Sequence, residues 1–370
     1  MTYLPTSEEK AEAYEFVALL QREILIFFGD KGIKVEAIPV GSTVKGTFVS
    51  GEHDVDFYIL CDNPREMMIL AAAHSQFQSE GFFKHAGELM IWSFKREGYS
   101  VDLVFGQPGN IKTDTLKHAE FFNKHLTEAQ KNEVIKAKAF FKTKGVYSAE
   151  IGGITGVAIE ELIRQLGDFE SLCDLFAHGQ LCHRWLQDPV MTEPRNLLAS
   201  IIPKRWKQLQ ISCDEYLATG RFEFKAFSHE EFKASYLGYS FIEYHRKKEM
   251  SLDFMIVYSA CEHLMREIRN LEHLDARLFG HAGDFDVWLD EKDIVIAVKL
   301  PLELEEQRYT EISKNFPEGV EAFKKAHPLW FDAGQFVAAK VPRKITRPLQ
   351  YFTDKLAKKL DDAGYIPADE

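Results

Sequence analysis

The chain is poor in cysteine and in positive charge, and it has no long apolar run. Its five cysteines, Cys61, Cys173, Cys182, Cys213 and Cys261, are scattered and odd in number, with no CxxC pair. That excludes a disulfide framework and a cysteine zinc site, and it predicts buried thiols. No apolar stretch approaches the roughly 20 residues that span a bilayer, and the opening MTYLPTSEEK lacks the charged-then-apolar layout of a signal peptide. A cytoplasmic protein with no membrane partner is therefore expected. Lys and Arg number 45 against 57 Asp and Glu, a formal net charge of −12, which argues against a surface coated in nucleic acid.

What remains is the composition of an ordinary globular protein, 45% hydrophobic and 28% charged, without low-complexity tracts or an internal repeat. At 370 residues it is too long for one small core, and its patterning suggests three domains of α+β class. Apolar positions at helical spacing open the chain between residues 8 and 29. Val35 to Val40, Val55 to Cys61, Leu89 to Phe94 and Ser100 to Phe105 then read as strands, and Pro64 to Gly81 as a helix. The first domain is placed at 1–112. Helices at Thr127 to Lys144 and Thr155 to Leu166 dominate a central neck at 113–207. Mixed helices and strands, among them Phe254 to Leu271, Phe285 to Leu289, Ile294 to Leu300 and Gln335 to Val341, make a third α+β part at 208–370.

On this acidic chain the basic residues cluster. Lys136, Lys138, Lys142 and Lys144 form one group, and Lys204, Arg205 and Lys207 a second. Arg343, Lys344, Arg347, Lys355, Lys358 and Lys359 form a third near the C-terminus. Such runs are commonly solvated helix faces, and they gain meaning only beside a catalytic site.

The segment VGSTVKGTFVSGEHDVDFYIL supplies that site. Asp54 and Asp56 lie two apart in a strand-like run, so both carboxylates project from one face. Gly41 and Ser42 follow the strand ending at Val40, where glycine permits a tight turn that brings backbone N–H groups toward a phosphate. Ser42 adds a hydroxyl and Lys45 a cation. Asp102 lies in the apolar run Ser100 to Val104, where an unpaired charge would cost several kcal/mol unless a metal partners it. Three such carboxylates on neighbouring strands can hold two Mg²⁺ about 4 Å apart, which clamp the attacking and leaving oxygens of a phosphoryl displacement. The order of strand, Gly-Ser, loop, Asp-x-Asp strand and a later Asp on an apolar strand predicts a nucleotidyltransferase palm.

Further motifs make the resemblance specific. Thr115-Leu116-Lys117-His118 is similar to a Thr-Pro-Phe-His segment, keeping its first and last residues. Ala137 to Tyr147 matches a Leu-Lys-x-Phe-x-Lys-x-x-Gly-Val-Tyr helix end at Lys138, Phe140, Lys142, Gly145, Val146 and Tyr147. Gly153-Ile154-Thr155-Gly156 stands for a Gly-Phe-Ser-Gly helix start, with Glu160 in register. Asp188-Pro189-Val190 and Arg195-Asn196 follow. Over about residues 35 to 200 the chain resembles the class I, archaeal-type CCA-adding enzymes, tRNA nucleotidyltransferases of the DNA polymerase β-like superfamily.

The resemblance implies a polymerase-β-like palm, a helical neck, and a C-terminal α+β body and tail. It implies that Asp54, Asp56 and Asp102 are catalytic and hold two Mg²⁺. It further implies that Gly41, Ser42, Lys45, Thr115, His118, Lys138 and Tyr147 contact the incoming CTP or ATP, and that Arg195 helps read its base. The tRNA acceptor end would be held by shape and phosphates, with Lys204, Arg205, Lys207, Arg343, Lys344 and Arg347 as RNA contacts. Lys45 stands where the family has Arg, which turns a bidentate phosphate contact into a point charge. Gly152 replaces another Arg. Two alternatives stay open: a different nucleotidyltransferase of the same superfamily, such as an oligoadenylate or cyclic-dinucleotide synthase, and an inactive RNA-binding module. The sequence also leaves a homodimer open.

Overall fold

The computed structural model describes residues 3–52, 54–74, 77, 81–86, 89–108, 116–182, 184–191, 193–225, 227–246, 254–272, 284–289, 293–300, 307–333, 335–342, 347–362 and 365–367. The chain divides into two compact units, one running to Ser228 and the other beginning at His229. Among the described residues no helix is long and apolar enough to cross a membrane.

The first unit opens with α1 (Ser7–Gly29), started by a capping box in which Thr6 and Glu9 each satisfy the other's backbone N–H. Its buried stripe of Phe16, Leu20, Ile24, Phe27 and Phe28 packs on one face of a sheet. The sheet is built from β1 (Glu36–Val40), β2 (Asp54–Leu60), β3 (Phe82–Ala86), β4 (Leu89–Arg96) and β5 (Tyr99–Gly106), in the order β1-β2-β5-β4-β3. Among the described residues of this sheet, the β2–β5 pair alone is parallel. Val55, Phe57 and Ile59 of β2, with Val101, Leu103 and Phe105 of β5, face the core. The period of two therefore sends Asp54, Asp56 and Asp102 to the other face.

Between β1 and β2 the expected tight turn is a short helix, α2 (Gly41–Lys45). The helix expected over Pro64 to Gly81 ends sooner, as α3 (Pro64–Ala72). Phe77, fully buried, turns back into the core beyond it, and its carbonyl accepts the Trp92 indole N–H at 2.7 Å. The chain then enters β3, a strand that is not among those expected from the sequence.

The helical half of this unit comprises α4 (Lys117–His125), α5 (Glu128–Thr143), α6 (Gly156–Leu166), α7 (Phe169–Ala177) and α8 (Pro203–Thr219). Thr127, Thr155 and Asp168 cap α5, α6 and α7, each accepting a backbone N–H from the first turn. Phe140, Phe141, Phe169, Leu172 and Cys213 are fully buried in one core, and burying each large apolar side chain contributes roughly 1.5–3 kcal/mol. Helix α8 runs across residue 207 and packs against α7.

The second unit contains α9 (His229–Ser235), β6 (Ser240–Arg246), α10 (Phe254–Glu272), β7 (Asp284–Leu289), β8 (Asp293–Lys299) and β9 (Gln307–Ser313). It continues with α11 (Pro317–Ala326), β10 (Trp330–Ala333), β11 (Phe336–Pro342), α12 (Pro348–Asp362) and β12 (Tyr365–Pro367). Its strands form two antiparallel sheets, ordered β12-β6-β8-β7 and β10-β11-β9. The whole is an α+β protein.

Candidate functional site

Strand register assembles the carboxylates. Asp56 pairs with Val40 of β1 on one side and with Asp102 of β5 on the other, and Asp102 pairs with Ser93 of β4. Asp54 lies two residues before Asp56, on the same face and more exposed. Gly41 caps the row: its φ is +80°, and a Cβ there would stand 2.1 Å from Asp56 Oδ2. Only glycine lets the backbone come this close to the carboxylate. Ser93, 3% exposed, donates its hydroxyl to Asp102 Oδ1 at 2.5 Å. The sequence reading missed Ser93, although a lone hydroxyl between Trp92 and Phe94 on an apolar strand marks it.

Among the described residues no three potential ligands already converge at metal-binding distance. The set nonetheless fits a hard divalent cation in kind and placement: all three donors are carboxylate oxygens, and they share one face of adjacent strands. Ser93 holds Oδ1 of Asp102 and so fixes the direction in which that carboxylate faces.

The lysines expected to meet phosphate are bound to a buried glutamate. Lys138 Nζ donates to Glu160 Oε1 at 2.8 Å, Lys45 Nζ to Oε2 at 2.5 Å, and Thr47 Oγ1 to Oε1 at 2.9 Å. Lys138 also donates to the Thr47 carbonyl at 3.1 Å. Glu160 is completely buried, and Lys138 and Lys45 are 2% and 5% exposed, so Lys138 is no solvated helix lysine. Burial depresses the Lys138 ammonium below its ordinary value, with Lys45 adding repulsion and Glu160 opposing both. Burial pushes the Glu160 carboxyl up, but the charges and hydrogen bonds of Lys138 and Lys45 outweigh it and hold Glu160 well below the carboxylate range. Tyr147 is raised, first by desolvation and then by Glu52, Glu160, Asp54 and Asp56, so its hydroxyl stays protonated. A Cβ on Gly156 would stand 2.9 Å from that hydroxyl and 3.3 Å from Lys138 Cε. Tyr147 and Lys138 therefore meet at the start of α6, in the field of the carboxylates.

His118 does not present its Nε2 to a ligand, because that nitrogen donates to Asp188 Oδ1 at 2.8 Å, both groups being buried. The Val190 N–H donates to the same oxygen at 3.1 Å, and Arg195 Nη1 lies 3.7 Å from Oδ2. These residues line a cavity of about 700 Å³, with Thr155, Val157, Trp185 and Asn196 among its other walls. Lys45 sits 5.6 Å from the Phe122 ring, which stacks with His118 at 6.1 Å. The cavity and the lysine cluster are thus neighbours on α4.

Of the residues expected to touch RNA, Lys204 is half-buried and Lys207 exposed on α8. Arg205 is buried and donates to the Ile151 carbonyl at 3.2 Å and to Gln208 at 2.6 Å, so its charge is not presented to a partner. Arg347 is exposed in the second unit. Thr115, Arg343 and Lys344 lie outside the described residues. The first basic group is ion-paired: Lys136 with Glu170, Lys138 with Glu160, Lys142 with Glu52 and Lys144 with Glu215.

A mixed sheet with an in-register row of carboxylates, joined to a helical domain carrying buried lysines, has the arrangement of a nucleotidyltransferase palm and neck. No family model matches the chain. It is similar to the CCA-adding enzyme of Methanothermobacter thermautotrophicus, 24% identical over 375 residues covering 89% of this chain and 81% of that one. It is 26% identical to the CCA-adding enzyme of Thermoplasma acidophilum over 59% of this chain and 55% of that one. With the Thermoplasma volcanium enzyme it shares 31% identity over 47% and 43%. The match to the last two spans about half of their length. Solved structures align more loosely: a cytoplasmic RNA terminal U-transferase at TM-score 0.44 and 12% identity, covering 60% of this chain and 92% of that one, and E. coli MS115-1 CdnC with ATP at 0.43 and 16%, covering 58% and 85%.

Proposed function

We propose that this chain is a template-independent nucleotidyltransferase that transfers CMP and AMP from CTP and ATP to the 3′ end of tRNA, releasing pyrophosphate. The observation that carries the reading is the row of Asp54, Asp56 and Asp102 set in register beside the Lys45–Glu160–Lys138 cluster. The similarity to one CCA-adding enzyme across 89% of the chain, and to others over shorter stretches, supports the choice of substrate. Two Mg²⁺ held by Asp54, Asp56 and Asp102 would supply Lewis acidity at the RNA 3′-hydroxyl and offset the charge of the triphosphate.

The chain's own residues do the remaining work. Gly41 lets the backbone lie against Asp56, and Ser93 orients Asp102. Lys138 and Lys45, partly balanced by Glu160, offer positive charge to the triphosphate. Tyr147 offers a protonated hydroxyl and Arg195 the guanidinium nearest the cavity. We assign the palm to about residues 1–112, the neck to 113–207 and RNA binding to the remainder, in which Arg347 is exposed, and we place the work in the cytoplasm.

The test is extension of tRNA lacking its CCA end with Mg²⁺ and labelled CTP or ATP. RNA-dependent incorporation is expected, abolished by Asp54→Ala and Asp56→Ala. Nucleotide oligomers made without RNA would replace this reading with that of a free-nucleotide synthase, and absence of any transfer would leave an RNA-binding module.

A further inference from the structure

Helix α5 sends two lysines, one turn apart, to two different carboxylates. Lys138 reaches the buried Glu160, and Lys142 reaches Glu52, where both side chains are 23% exposed. Tyr147 touches both lysines. Its hydroxyl meets Lys138 beside Gly156, and the Lys142 ammonium stands 4.7 Å over the centre of its ring, within the range of a cation–π contact. After desolvation, Glu52 is the largest influence raising the Tyr147 hydroxyl, ahead of Glu160, Asp54 and Asp56. The backbone beside this ring is strained: Gly145 turns the chain out of α5 at a φ of +64°, and Ser148, not a glycine, is held at +94°. Such a conformation persists only where the surroundings enforce it. Here the Ser148 N–H donates to the Ile154 carbonyl at 2.8 Å, and the Ser148 carbonyl accepts the Gly153 N–H at 2.8 Å.

Glu52 is fixed without help from Lys142. It lies two residues before Asp54, on a loop tied to the start of α1. The Ser50 N–H donates to the Tyr3 carbonyl at 2.9 Å and the Ser50 hydroxyl to Glu9 Oε1 at 2.8 Å, while the Glu52 N–H donates to the Val49 carbonyl at 3.0 Å. The carboxylate is therefore an anchor, and it aims the longer, flexible lysine over the ring. We propose that Lys142, aimed by Glu52, is a positioning residue that holds the Tyr147 ring so that its hydroxyl stays beside Lys138 for the triphosphate of the incoming nucleotide. Without Glu52, a lysine in the last turn of α5 would extend into water and leave the face of the ring uncharged. The inference rests on the proposed nucleotidyl transfer for the reaction it serves.

The experiment measures extension of tRNA lacking its CCA end by the full chain and by Lys142→Met, Lys142→Arg, Glu52→Gln, Tyr147→Leu and the Lys142→Met/Tyr147→Leu double variant. Lys142→Met should raise the KM for CTP and ATP about tenfold while kcat changes less than about threefold. Its Tm should move by no more than about 4 °C, since the lost pair is partly exposed. Glu52→Gln should shift KM in the same direction. Lys142→Arg, whose guanidinium keeps both the ion pair and the stack, should return KM to within about threefold of wild type. In the Tyr147→Leu background, Lys142→Met should change KM by less than about twofold, because the ring it steadies is gone. A KM unmoved by Lys142→Met while the Tm falls overturns the proposal and leaves the pair as a fastening of α5. A tenfold rise that persists in the Tyr147→Leu background overturns it too, since Lys142 would then touch the triphosphate itself. If wild type extends no RNA, the transfer reading falls separately, and equilibrium binding of CTP to the same variants decides. The same pattern in Kd upholds the proposal; equal Kd for wild type and Lys142→Met, or no binding by wild type, overturns it.

Discussion

Glu160→Gln tests the charge arrangement most directly. The wild-type carboxylate receives Lys138 and Thr47 on one oxygen and Lys45 on the other, all buried. Lys45 ends α2 beside the sheet, while Lys138 and Glu160 belong to α5 and α6, so one carboxylate ties the sheet to the helical half of the first unit. The amide removes its charge and turns an NH₂ toward an ammonium. Breaking a buried ion pair from one side costs about 3–5 kcal/mol. The loss has a ceiling, because a lysine can shed its proton instead, at about 5 kcal/mol from its ordinary value to pH 7. A fall of about 10 °C in the Tm of the first unit follows from such a loss.

The pH dependence has a definite sign. The folded carboxyl of Glu160 titrates well below its ordinary value of 4.5, so its stabilisation is complete above about pH 4.5 and is lost as the pH falls further. In the variant Lys138 is depressed more strongly than in the wild type. The unfolded chain then binds the proton more tightly, so the variant gains stability as the pH rises through neutrality. The gap between the two proteins should be widest near pH 6 and narrow toward both pH 4 and pH 8, roughly, as read by denaturant unfolding. A gap below about 1 kcal/mol at pH 6, or one constant with pH, would refute the coupling of Glu160 to its lysines.

Two further changes probe the carboxylate row. Gly41→Ala places a Cβ 2.1 Å from Asp56 Oδ2 at a φ of +80°. The backbone penalty of about 1–2 kcal/mol should lower the Tm by a few degrees, while displacement of Asp56 lowers transfer by about a hundredfold; equal, small effects on both would show the contact to be slack. Ser93→Ala removes the donor on Asp102, and the Mg²⁺ concentration for half-maximal activity should rise about 10- to 100-fold. An unchanged Mg²⁺ dependence would mean that Ser93 serves the apo fold alone.

The carboxylate row was legible because its cause is local: alternation along a strand puts Asp54 and Asp56 on one face whatever the strand pairs with. Ser93 was not, since its place beside Asp102 depends on the β4–β5 register, which no period in the sequence reports. The lysines show the same limit. Lys138 was read from a motif, but Lys136, Lys142 and Lys144 looked like open charge because their glutamates lie 34, 90 and 71 residues away. A run of like charges shows where cations are, and only folding shows which are already paired. Helix α3 stops short of the expected Gly81 for a related reason: Phe77 keeps the apolar spacing, but its carbonyl holds the Trp92 indole, a contact 15 residues away.

That pairing bears on how an acidic chain can hold a polyanion. With Lys142 turned to Glu52, Lys45 and Lys138 share the single charge of Glu160, so the three-residue cluster carries a surplus of one positive charge. If one ammonium swings to a phosphate oxygen, the other still neutralises the buried carboxylate, and no charge is left bare in the low-dielectric interior. A single lysine paired to Glu160 would lack this freedom, since each phosphate contact would strand the glutamate. Under the proposed chemistry, Lys45→Met should therefore weaken triphosphate binding by more than one lost contact explains, because Lys138 would then be held by Glu160 alone. The KM for CTP should rise while Glu160 stays ionised and the fold is kept. An unchanged KM would mean that Lys45 only balances Glu160 and never reaches the triphosphate.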